Sequence, residues 1–221
     1  NAAALIYALD RLFPPRDATL ALLLVFPELF ASMQASQSNS LVAAIIVLAF
    51  LALERGEQWR GYLTIALGAA VKIFPLAALS LAIFHPRRAR AAAIFAVCAV
   101  TLVLLPLAVT TPSMLVSQYE WWRALESVDA LALGASVMRV LHDAFGVLWP
   151  NWPVQLAGVA VLLLPLLHRT RWRDPHFRRG YLASLLVFVV IFNHQAERPS
   201  FVIAATGVAI WFVQSPRDVT R

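Results

Sequence analysis

The sequence predicts an all-α, polytopic bundle of transmembrane helices that contains one re-entrant helical hairpin. Three observations lead there. Of 221 residues, 61% are hydrophobic and only 14% are charged, whereas soluble domains sit near 45–50% apolar and about 25% charged. The apolar residues gather in long runs, and the mean hydropathy of the chain is +0.73. The basic residues stand between those runs rather than along one face. The formal charge of +6 therefore reads as membrane topology, which collects arginine in the loops of one side, and not as a nucleic-acid surface. No nucleic-acid partner is expected.

Residues 1–13 (NAAALIYALDRLF) read as the tail of a helix already under way, without a signal peptide. The chain is expected to be the C-terminal portion of a longer protein, forming a single transmembrane bundle over 1–221. Apolar runs follow at 18–33, 41–53, 61–84, 91–110, 151–167, 180–193 and 199–213. A span takes about 20 residues, with a range near 17–25, so the shorter runs imply a tilted, tightly packed bundle with polar mouths. Residues 113–126 (SMLVSQYEWWRALE) alternate at helical spacing inside the long segment 111–147, which suggests an interfacial helix acting as an anchor. Trp59, Tyr62, Trp149, Trp152, Trp172 and Tyr181 all stand at segment ends, as interface belts require. The single cysteine, Cys98, lies in an apolar run and says nothing about redox compartment.

Loop charge gives the sidedness. With every run crossing once except 61–84, fourteen of the eighteen basic residues fall on one side. They form clusters such as Arg55/Arg60, Arg87/Arg88/Arg90, Arg169/Arg171/Arg173, Arg178/Arg179 and Arg217/Arg221. Only Lys72, Arg123, Arg139 and Arg198 fall on the other. The positive-inside rule makes the first side cytoplasmic. A single crossing by 61–84 would split these clusters, so this run must go in and come back. Lys72 and Pro75 stand near its middle, where a helix-breaking proline suits a turn. Each arm has roughly 10–12 residues, about 15–18 Å at helical rise, and irregular backbone at that depth survives only in a protein-lined or water-lined cavity. The hairpin marks a candidate site.

Polar groups at membrane depth are costly and count as candidate functional groups. On this topology they face outward in four sets. These are Gln34, Gln37 and Asn39; Lys72 at the hairpin apex; the charges of 111–147, among them Glu126 and Arg139; and Asn193, His194, Gln195, Glu197 and Arg198. Each has a plain alternative. Ser38, Asn39 and Ser40 could cap the helix that follows, and Lys72 could snorkel to the interface. His194 could fill a loop, and Glu197 with Arg198 could form a local ion pair worth little. Glu28, inside a span, needs a partner that the sequence does not name. No glycine-rich nucleotide loop, Walker lysine, HExxH or paired CxxC occurs, so no cofactor and no metal site is expected. A lysine and an arginine joined by histidine and amides at an outward pocket suit a phosphate, and in a membrane the phosphate carrier is a lipid.

The run SQSNSLVAAIIVLAFLALERGEQWRGYLTIALGAAVKIFPLAAL at 36–79 resembles glycosyltransferase family 87, within the GT-C superfamily. Gln37, Asn39, Gly61, Lys72 and Pro75 match that family's Gln-x-Asn helix start, glycine-bearing basic loop and Lys-x-x-Pro turn, in order and spacing. The stretch FNHQAERPSFVIAATGVAIWF at 192–212 also looks like its C-terminal segment. The resemblance implies a GT-C-like fold and transfer of a hexose, mannose by analogy, from a polyprenyl-phosphate donor to a lipid or glycan acceptor. The reaction would take place on the outer face of the cytoplasmic membrane. Lys72, His194 and Arg198 are then expected to bind the donor phosphate, with Gln37, Asn39 and Glu197 lining the pocket. The resemblance also implies a catalytic carboxylate in a first outer loop near the start of a full-length enzyme, so no residue here is assigned as the base. Residues 131–141 depart from the family's pattern, which leaves Arg139 without a role. A transporter or lipid flippase would also use a re-entrant hairpin with midplane charge, and a non-catalytic membrane subunit is a third alternative.

Overall fold

A computed structural model describes residues 1–85, 88–129, 132–147 and 149–215. Arg87, Arg217 and Arg221 of the basic side lie outside the described residues, as does the side chain of Asp129. Each predicted apolar run becomes a helical rod. These are α2 (Pro15–Gln34), α3 (Asn39–Glu54), α4 (Gln58–Val71) with the 3₁₀ arm Phe74–Phe84, and α5 (Arg88–Leu104) with its extension Leu105–Ala108. They continue with α8 (Asn151–Leu163) and its extension Leu164–Leu167, α9 (Pro175–Ile191) and α10 (Phe201–Gln214). The described residues also form α1 (Ala2–Leu12), α6 (Pro112–Asp129) in the segment expected to be interfacial, the short α7 (Val137–Phe145) and the 3₁₀ turns Arg169–Arg173 and Arg198–Ser200. No strand occurs among the described residues.

The stretch Arg88–Ala108 shows what solvent the molecule is built for. It runs 21 residues at a mean hydropathy of 2.6, yet only 6% of its most apolar window is buried. Water would penalise that exposed apolar area by about 25 cal/mol per Å²; lipid does not. Together with α2 it is long and apolar enough to cross a bilayer. The core proper lies among α1, α2, α3, α4, α9 and α10, through residues such as Leu9, Val25, Ile46, Ile65, Leu186 and Ile210. In α2, Pro27 interrupts the helix interior and leaves the Leu23 carbonyl without its usual amide donor.

Two sets of contacts define the ends of the bundle. At one end Arg178 Nη2 of α9 meets Glu54 Oε2 of α3 at 2.7 Å, and His85 Nε2 stands 3.9 Å from Glu54 Oε1. At the other, the start of α3 meets Lys72 and the turn between α9 and α10. The hairpin therefore runs from one end of the bundle to the other and returns: its apex lies beside Asn39, and its far flank closes on Glu54. Its arms are longer than the sequence suggests. The 14 residues of α4 rise about 21 Å. The 11 residues of the second arm cover about 22 Å because a 3₁₀ helix rises about 2.0 Å per residue. Both nearly match α3, whose 16 residues rise about 24 Å. Gly68 lets the three rods approach, since a Cβ there would stand 2.5 Å from Ile45 Cγ2 and 2.9 Å from Pro75 Cγ.

Candidate functional site

The site begins with the end of α2. Ser36 adopts a left-handed conformation, φ 53, and its N–H bonds to the Met33 carbonyl at 3.0 Å while the Gln37 N–H bonds to the Ser32 carbonyl at 3.2 Å. This pair of bonds is a Schellman closure, which satisfies the orphan carbonyls of a helix end. It turns the chain sharply and presents Gln37 and Asn39 together. Ser38 stands at the N-cap of α3 but makes no side-chain cap bond. Asn39, completely buried, uses its amide elsewhere, so the capping alternative does not describe this turn.

Lys72 ends α4 in extended backbone, φ −152. Its ammonium donates to Asn39 Oδ1 at 2.8 Å and to Gln37 Oε1 at 3.2 Å. The two amides are themselves joined, Asn39 Nδ2 donating to Gln37 Oε1 at 2.9 Å. Gln37 Nε2 in turn donates to Glu197 Oε2 at 2.6 Å. Four of the sequence-predicted residues, Lys72, Asn39, Gln37 and Glu197, thus form one hydrogen-bonded chain across three elements. Lys72 forms no ion pair among the described residues: its ligands are neutral oxygens, and Glu197 is a nearby charge bonded to Gln37 rather than to the ammonium. Phe74 lies beneath the ammonium, its ring centre 5.4 Å away. The lysine is pinned and half-buried, and it does not simply snorkel into solvent.

The other two predicted phosphate ligands sit on the same turn but outside that chain. His194 Nδ1 stands 2.9 Å from Gln155 Nε2 of α8. With the amide donating, the imidazole proton sits on Nε2, which is buried and has no partner among the described residues. Arg198 opens the 3₁₀ turn Arg198–Ser200 ahead of α10. It is exposed, and no described residue bonds its side chain. Pro199 sits inside this turn, and α10 starts two residues later.

Gln155, Gly134 and Ala135 help build this end and were not singled out by their sequence, whereas Glu126 and Gln195 were. Gln155 lies inside an apolar run, and its polarity at that depth was the available signal. The long segment 111–147 closes over the turn. Gln195 Nε2 donates to Glu126 Oε2 at 3.2 Å, and the Ala135 N–H donates to the Ala196 carbonyl at 2.6 Å. Gly134, φ +50, lies so close to the His194 carbonyl that a Cβ would collide with it. Arg139 instead faces Asp143 at 3.9 Å on α7, away from this network. Glu28 Oε2 is buried without a partner among the described residues, beside a groove of about 380 Å³ between α2 and α10. Among the described residues no group of three or more His, Cys, Asp and Glu converges.

Gln37, Asn39 and Lys72 fall inside the region that a known family covers, while His194, Glu197 and Arg198 lie just beyond it. The family model described as Glycosyltransferase family 87 matches residues 1–193. No curated protein and no solved structure matches the chain. With most of its length matched, its long apolar helices exposed as lipid requires and its helix-start amides bonded to the Lys72 ammonium, the chain belongs to glycosyltransferase family 87 and is a membrane glycosyltransferase.

Proposed function

We propose that this chain is a GT-C-type hexosyltransferase that moves a sugar, mannose by family analogy, from a polyprenyl-phosphate donor to a lipid or glycan acceptor. The site opens on the outer face of the cytoplasmic membrane. The observation that carries this reading is the ligand set of Lys72. An ammonium held by two amide oxygens at 2.8 and 3.2 Å, with no carboxylate in direct contact, keeps its charge available to an anion. The contrast with Arg178, closed on Glu54 at 2.7 Å, is direct.

In the reaction an acceptor hydroxyl attacks the anomeric carbon, the bond from that carbon to the phosphate oxygen breaks, and the polyprenyl phosphate departs with the electron pair. Negative charge grows on that oxygen, and positioned donors lower its energy most in a dry site. Lys72 supplies the charge, His194 Nε2–H a buried donor, and Arg198 a guanidinium at the mouth. Gln37 and Asn39 hold the lysine in place, and Glu197 orients Gln37 or a sugar hydroxyl. The hydroxyl proton passes to a general base. The basic end, rich in arginine, faces the cytoplasm.

Lys72→Gln tests this reading. It keeps most of the stem and removes the charge, so donor affinity falls about 10- to 150-fold, the equivalent of about 1.5–3 kcal/mol for a charge-assisted contact. Expression and thermal stability hold. A folded Lys72→Gln protein with unchanged donor kinetics returns Lys72 to a structural role.

A further inference from the structure

At the opposite, basic end the structure holds a second cluster that the transfer reaction does not use. The guanidinium carbons of Arg88 and Arg169 lie 5.3 and 6.0 Å from the centre of the Trp172 ring. The ring is fixed in place. Its Nε1–H donates to the Leu166 carbonyl at 3.0 Å, and Phe84 meets it edge-on with centroids 6.3 Å apart. Arg88 is fixed too, Nη2 donating to the Ile83 carbonyl at 2.9 Å. Two like charges on one indole repel, and nearby carboxylates do not relieve them. Glu54 is engaged by Arg178, Glu57 by Arg60 at 2.9 Å, and Asp174 accepts the His176 N–H at 2.9 Å as the cap of α9. Among the described residues none of these acids pairs with Arg88, Arg169, Arg171 or Arg173.

We propose that Arg88, Arg169 and Trp172 form a binding site for the phosphodiester headgroup of an anionic phospholipid in the leaflet at the basic end of the bundle. The guanidinium fork matches phosphate oxygens in geometry and charge, and an indole anchored at a helix end belongs at headgroup level. The apolar surface beside the cluster selects a lipid over a soluble anion. Leu164 and Leu167, five and two positions before Arg169, are 56% and 75% exposed and offer a wall for acyl chains. The first residues of the arginine-rich turn Arg169–Arg173 thus stand where the apolar rod ends and the charge begins. Basic pockets between helices are a general solution for anionic headgroups. This site is independent of the phosphate-binding reading at the hairpin apex.

The test uses the full chain purified in a neutral detergent, titrated separately with phosphatidylglycerol, phosphatidylcholine and inorganic phosphate, with adducts counted by native mass spectrometry. Phosphatidylglycerol is expected to bind at least about tenfold more tightly than phosphatidylcholine. Arg169→Gln weakens it about fivefold, the effect of one basic side chain near a lipid surface, and Arg88→Gln/Arg169→Gln about 25-fold. Arg60→Gln, at the same end but paired with Glu57, leaves it unchanged. Equal affinity for the two lipids, or wild-type phosphatidylglycerol affinity in Arg169→Gln, overturns the proposal. Full displacement of phosphatidylglycerol by millimolar inorganic phosphate overturns the lipid identity in favour of a soluble anion. If the double variant does not fold, Arg169→Gln alone decides, because Arg169 is exposed and bonds no described residue.

Discussion

Gln37 and Glu197, 160 positions apart, meet through a 2.6 Å hydrogen bond from the amide to the carboxylate. The bond ties the start of α3 to the turn before α10, and it connects a negative charge to Lys72 without letting the two charges touch. The carboxylate thereby steadies the lysine's ligands without bonding the ammonium itself.

Glu197→Gln separates those two effects. If Lys72 holds the donor phosphate as proposed, removing an exposed negative charge near it leaves donor binding unchanged or up to about fivefold tighter. The loss of orientation lowers kcat by about ten- to a hundredfold. Steady-state kinetics in donor concentration check this split. Weaker donor binding with an intact kcat would make Glu197 a direct donor ligand instead.

Ser36 holds a left-handed backbone, φ 53, that costs a non-glycine residue about 1–2 kcal/mol. Glycine adopts it freely but loses more chain entropy on folding. Ser36→Gly is therefore expected to stabilise the protein by about 0.5–1 kcal/mol. Thermal unfolding in detergent should show a midpoint about 1–4 °C higher, with activity retained because the Schellman closure that presents Gln37 is preserved. A lower midpoint would count against the assigned turn.

The Glu54–Arg178 pair is the closed counterpart of Lys72. Both side chains are 19% exposed, and Arg178 also donates to the Trp172 carbonyl at 3.1 Å. Arg178→Met strands the carboxylate beside His85, whose imidazole burial pushes below its usual range despite the opposing pull of Glu54. The loss is about 1–3 kcal/mol, and Glu54→Leu/Arg178→Met recovers most of it, since a part-buried pair replaced on both sides leaves no orphan charge. Thermal midpoints of the single and double variants measure the coupling. Additive single effects would remove the pair from the account.

Sidedness is open to cysteine labelling in a Cys98→Ser background. Gln58→Cys and Ala89→Cys, at the two flanks of the hairpin, are expected to react with an impermeant reagent from the same side of the membrane. Ser117→Cys, on the exposed part of α6, should react from the opposite side. Gln58 and Ala89 labelled from opposite sides would break the topology on which the outward site depends.

The sequence by itself determined the membrane class, the seven apolar runs, the clustering of arginine at one end and the turn at Lys72 and Pro75. These properties are local: the apolar length of a run and the residues that interrupt it are read along the chain, and lipid enforces them segment by segment. It also identified Gln37, Asn39 and Lys72, because polar groups at membrane depth stand out in any apolar stretch. Only the tertiary structure decided which of those groups meet. Pairing depends on how each helix is rotated and how closely neighbours approach, and a one-dimensional pattern carries neither. The 14 residues of α4 bring Lys72 level with Asn39, and the second hairpin arm, wound as a 3₁₀ helix, returns over the same distance in 11 residues. His194 turned toward Gln155, and Arg198 stayed exposed, because the turn they share is held from above by Glu126, Gly134 and Ala135 through contacts made 60 or more residues away in the chain.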